Sequence, residues 1–429
     1  MSNYTFEKPY YNSSSVANTV TTEEAWNVYF ESMPQGGYAI RKRPGSTILQ
    51  GYSDHNPQGM FWSDRAGLLY FVINGNVYRK SAVTQFIVDP PTIIGTIGNT
   101  VNPVVFAEGQ LLNLDLITYL AAGSPLKYID DATQTVLSPT DPNTPSSTYI
   151  AMMNNRFYAN DIYHGQDLLI TDVNPATDLL DVLYWSSPVN PFRASARPDN
   201  IQGIYTAWNE IFLWGTQACE VWQEDGITPI SPLVGSIIES GTLAPHSVVL
   251  ADNTLIGLCQ INGKRAVVAL AGRNPNIISE DIANKLQEIQ VVSDAIGSMC
   301  FVGGLNIYLL TFPTADITWA YDIKTKVWCQ WSTWDTVNAV NAQYKGRYGV
   351  YAKDWNKHLV MSANGSIHEL SRSQYTDSGL LISSSIRTGW IDHGTSDRKR
   401  CDQLIIKLKG YSDTIGKVVM RTRDDGFPN

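Results

Sequence analysis

Six histidines (His55, His164, His246, His358, His368, His393) and five cysteines (Cys219, Cys259, Cys300, Cys329, Cys401) are the side chains best suited to metal binding or nucleophilic attack. Their spacing argues against both. No two histidines stand as in an HExxH helix, and no two cysteines form a CxxC pair. His358 and His368 flank one hairpin, where histidines ordinarily pack or face solvent. The odd count and wide separation of the cysteines fit buried free thiols in a reducing compartment rather than a disulfide framework or structural zinc. There is no GxSxG elbow, no Walker A loop and no GxGxxG after a strand. The stretch "GTIGNT" from Gly95 to Thr100 is rich in turn residues and is no phosphate cradle. With 40 acidic residues, carboxylate pairs are unavoidable, so their presence points to no reaction. The expectation is a protein with no catalytic residue, no metal and no cofactor.

Composition points elsewhere. Of 429 residues, 43% are hydrophobic and only 17% charged; the polar remainder is Asn, Ser, Thr, Gln and Gly, with 21 Pro. Strands and turns suit that mixture better than long helices. A net charge of −9 gives no basic face for gripping phosphates. Two short basic clusters, Arg41-Lys42-Arg43 and Arg398-Lys399-Arg400, are candidates for meeting an acidic partner; a solvated charge run explains each equally well. The stretch "MSNYTFEKPYYNSSS" lacks the apolar core of a signal peptide, and no run approaches a membrane span.

The elements that would position these side chains are short strands. "LLYFVINGNVYRK", "LCQINGKRAVVALAG" and "HLVMSANGSIHEL" each read as two strands around Asn74-Gly75, Asn262-Gly263 and Asn364-Gly365. Asn-Gly tolerates the positive φ that both central positions of a type I′ turn require. Met299–Trp334 reads as a four-stranded meander, and Gly203–Gly226 as three strands with breaks at Asn209-Glu210 and Gly215-Gln217. Meanders every 40–50 residues or so mark a β-propeller, here of about six or seven degenerate blades, because one thin sheet cannot bury both faces alone. A set of β-sandwiches is the competing architecture. Within Gly203–Gly226, Ile204, Ile211, Leu213 and Val221 are expected core. Trp208, Trp214 and Trp222 are expected to pack blade on blade, as are Trp328 and Trp331 of the longer meander. One amphipathic helix is expected, with Ile282, Leu286 and Ile289 on its inner face and Ser279 as cap. The expected organisation is an N-terminal arm and lead-in strand over 1–45, a propeller over 46–375, and a small, incomplete accessory β domain over 376–429.

Four stretches carry a resemblance: "GGYAIRKRPGST", "NIQGIYTAWNEIFLWGTQACEVWQEDG", "NPNIISEDIANKL", and "RKRCDQLIIKL" followed by "RTRDDG". In order and spacing they resemble the tail hub, or head-completion and packaged-DNA stabilisation, proteins of short-tailed bacteriophages. The resemblance implies a structural virion protein that assembles as a homohexameric ring in the host cytoplasm. Such a ring closes the filled head below a portal or adaptor ring, binds tail fibres or spikes and a plug or needle, and lets genomic DNA pass without tight binding. A glycan-binding or glycoside-hydrolysing propeller, and a cytoplasmic propeller scaffold, are the alternatives.

Overall fold

A computed structural model describes residues 22–32, 38–52, 55–82, 90–188, 191–194, 196–197, 199–224 and 229–388. Among them, seven sheets of four or more strands follow one another along the chain. The first blade is Pro57–Ser63, Leu68–Ile73, Asn76–Lys80 and Thr92–Thr96, each strand antiparallel to the one before. Five more blades begin at Val105, Ile150, Gly203, Gly241 and Ile296, and the seventh at Gly346. The first strands of successive blades lie against one another around an axis, and the seventh returns to the first.

Seven apolar clusters fill the seven seams between blades. Leu68, Tyr70 and Val72 of blade 1 meet Leu120 and Ile129 of blade 2. Tyr119 meets Phe157 and Trp185 between blades 2 and 3. The series continues around to Trp62 and Phe71 against Leu359 and Met361, which join blade 1 to blade 7. One cluster per seam is what a ring of thin sheets requires, since each sheet hides its faces only against its neighbours.

The ring is closed by strand exchange. Blade 7 takes three strands from Gly346–Ser371 and its fourth, Gly45–Gln50, from the other end of the chain, with Ser46 opposite Leu370. Thr22–Trp26 then adds to the outside of blade 6, parallel to Val327–Asp335, and pairs on its far side with Ser385–Thr388. The described part of the expected arm is therefore woven into blades 6 and 7, together with the chain just past 376. Most of the expected accessory domain lies outside the described residues.

Local expectations divide instructively. Asn74 and Gly75 (φ 49° and 76°) and Asn262 and Gly263 (φ 50° and 76°) form the expected turns. At the third pair Gly365 has φ 87°, but Asn364 stays out of the left-handed region. Its amide oxygen instead accepts from Ser362 Oγ (2.6 Å) and Ser366 N (3.1 Å), closing a longer loop. The expected helix is a 3₁₀ turn, Glu280–Ile282, running into an α-helix, Ala283–Glu288, with Ile282, Leu286 and Ile289 buried between blades 5 and 6. Ser279 is not its cap: the hydroxyl accepts from Val267 N (2.8 Å) and ties the helix to blade 5.

Candidate functional site

The basic cluster at 41–43 splits in three directions. Arg41 is exposed and donates to Glu31 Oε2 at 2.9 Å. Lys42 is half-buried, and burial lowers its pKa, with Arg43 adding repulsion. Arg43 is 1% exposed, so the expectation that it meets a partner is corrected. All five of its N–H groups are used inside the fold. Nε donates to Asn27 Oδ1 (2.9 Å), Nη1 to Pro44 O and Asp377 Oδ1 (both 3.0 Å), and Nη2 to Ser332 O (2.7 Å) and Asp377 Oδ2 (2.5 Å). The guanidinium also lies over Trp331 and Tyr344, 5.5 and 5.1 Å from their centroids. Asn27 completes the seam, donating to Ser332 Oγ (2.6 Å) and Ser383 O (2.7 Å). Sequence reasoning missed Asn27 and Asp377, because nothing local ties residues so far apart. Arg398, Lys399 and Arg400 lie outside the described residues.

The tryptophans occupy different stations. Trp214 sits in the seam of blades 4 and 5, Trp222 in that of 3 and 4, Trp328 in that of 5 and 6, and Trp331 in that of 6 and 7. Trp208 is not in a strand: with φ 52° it forms a tight turn with Asn209 (φ 61°). Its indole N–H donates to Asn253 Oδ1 (2.6 Å) on the matching turn of blade 5. Asn154 on blade 3 reaches Asn209 in the same way (2.9 Å), and Asn306 on blade 6 donates to Asp252. Side-chain amides thus lace turn to turn around this face.

The opposite end of the axis is open. A cavity of about 550 Å³ is lined from all seven blades, mainly by the loops that lead into their first strands. Its volume falls within the range of small-molecule sites, about 300–1,000 Å³. Tyr149 and His246 pack ring on ring across one wall, centroids 5.0 Å apart, and burial holds the imidazole neutral by pulling its pKa down to about 4. Asp294 and Arg347 lie on another wall. Asp294 Oδ2 accepts from Thr314 N (2.7 Å), but its Oδ1, shut off from solvent, has no partner. Arg347 donates weakly to Gln343 (3.3 Å), its Nε is buried with no partner, and desolvation lowers its pKa. No ion pair joins the two. Asp294 is the one carboxylate among the described residues lining the cavity, so the paired carboxylates of glycoside hydrolysis are not assembled there. No sequence signal marks these residues, which come from separate blades.

Elsewhere the titratable groups serve packing. Cys259, Cys300 and Cys329 are buried free thiols with pKa values pushed up to about 12 by desolvation. His358 is buried between strands with neither ring nitrogen partnered, and desolvation takes its pKa down to about 3.

The fold is that of a closed β-propeller with a polar axial cavity. Solved structures of similar architecture share little sequence. A catalytically inactive virginiamycin B lyase from Staphylococcus aureus, with quinupristin, is 9% identical over 76% of this chain and 97% of that one, at TM-score 0.47. The N-terminal domain of Nup159 is 10% identical over 81% and 98%, at 0.45. An auxiliary nutrient binding protein from Bacteroides thetaiotaomicron is 8% identical over 79% and 81%, at 0.41. No curated relative matches. Residues 20–374 match the family model described as bacteriophage P22 Gp10, beta-propeller, and the chain belongs to that family. It is a phage head–tail stabilisation protein, a structural component of the virion.

Proposed function

We propose that this protein is the tail hub, or nozzle, that closes the DNA-filled head below the portal or adaptor ring. In this reading it anchors tail fibres or spikes and a plug or needle, works as a homohexameric ring assembled in the host cytoplasm, and lines the ejection channel. The family match over residues 20–374 carries the reading. The size of the axial cavity supports the ring. A space of about 550 Å³ cannot pass a duplex whose major groove alone is about 12 Å wide, so DNA would run between copies and not through one. The net charge of −9 suits a wall along which DNA slides. Electron microscopy of the purified protein, alone and mixed with portal rings, tests this. Rings around a wide channel that stack on portals are expected; particles that stay single in both preparations would refute it.

A further inference from the structure

Two atoms on the wall of the axial cavity are in a condition that the rest of the described molecule largely avoids. Arg347 Nε is a charged donor without an acceptor, and Asp294 Oδ1 is a charged acceptor without a donor; both are closed off from solvent. Leaving such groups unmade costs more than an ordinary hydrogen bond contributes. The fold had the means to pair them: elsewhere it gives a buried arginine five partners. Between and around the two lie apolar and aromatic walls, including Pro57, Leu243, Ile296 and Tyr348. A mostly apolar pocket with a few convergent polar groups is the form of a small-molecule site.

We propose that the cavity binds a small zwitterion of amino-acid size, its carboxylate on Arg347, its ammonium on Asp294 and its apolar side chain against the walls. The two charges specify the ligand. A guanidinium takes a carboxylate through parallel N–H donors, and a carboxylate oxygen takes an ammonium. An anion alone would meet the Asp294 charge, and a cation alone the Arg347 charge, so each single-ended ligand is disfavoured by the other residue. The site is separate from the ring contacts of the tail-hub reading and stands or falls without it.

Nuclear magnetic resonance titration of the full chain with L-leucine, N-acetyl-L-leucine, L-leucinamide and glycine tests the proposal. L-leucine is expected to bind saturably. Removing its ammonium (N-acetyl-L-leucine) or its carboxylate charge (L-leucinamide) should weaken binding at least about tenfold each, the worth of a charged hydrogen bond. Glycine should bind more weakly than leucine for want of the apolar contact. Arg347→Met should erase the advantage of leucine over leucinamide, and Asp294→Asn that over N-acetyl-leucine. No saturable binding of leucine by the wild-type chain, or equal binding of all three leucine compounds, would overturn the proposal. The ligand series keeps the test decisive even if a variant fails to fold.

Discussion

Arg43 and Arg347 are both arginines drawn out of water, and the fold treats them in opposite ways. Arg43, at the seam where the two ends of the chain meet, uses every donor and stacks on two rings. Arg347, on the cavity wall, keeps a buried donor unmet. The first arrangement is what permanent structure looks like: the charge is matched by groups from Asn27, Ser332 and Asp377, so removing any of them leaves another exposed to the same penalty. The second is unfinished as the chain stands alone, which is where recognition is to be sought.

The largest effect expected from breaking this contrast is at the seam. Arg43→Met strands the Asp377 carboxylate and should cost about 3–5 kcal/mol, read as a lowered midpoint in guanidinium unfolding. Adding Asp377→Leu should recover much of the loss; a single variant as stable as wild type would show that the seam does not hold the ends. Next comes acid. His358 has a folded pKa of about 3 against 6.5 unfolded, so below pH 6.5 the unfolded chain binds the extra proton. Its contribution is fully present above 6.5 and is lost as pH falls toward 3, amounting to about 3 kcal/mol by pH 4. His358→Phe should flatten the fall in stability over that window, and an unchanged slope would assign acid sensitivity elsewhere.

Smaller changes sharpen the same comparison. Ser279→Ala removes the acceptor of Val267 N and should cost about 1 kcal/mol in thermal unfolding. Arg347→Met, in contrast to Arg43→Met, should move stability by no more than about 0.5 kcal/mol in either direction, because it breaks little that the isolated chain makes. A loss as large as that at Arg43 would make Arg347 a structural arginine and remove the contrast.

Short strands, Asn-Gly turns at 74–75 and 262–263, the apolar face of Ile282, Leu286 and Ile289, and the all-β blade repeat were all legible in the sequence. Each depends on backbone conformation or periodicity within a few residues, where local chemistry decides. The same local reading misplaced Trp208 in a strand, Ser279 at a helix cap and Arg43 at a surface. In each case a residue distant in sequence supplied the deciding partner: Asn253, Val267 and Asp377. What local sequence determined is that this chain makes thin sheets that must find neighbours. Tertiary structure alone decided that there are seven, that the last is completed by Gly45–Gln50, and that Asp294 and Arg347 share one cavity. Closing a ring brings together groups from every blade at once, and no window along the chain contains that geometry.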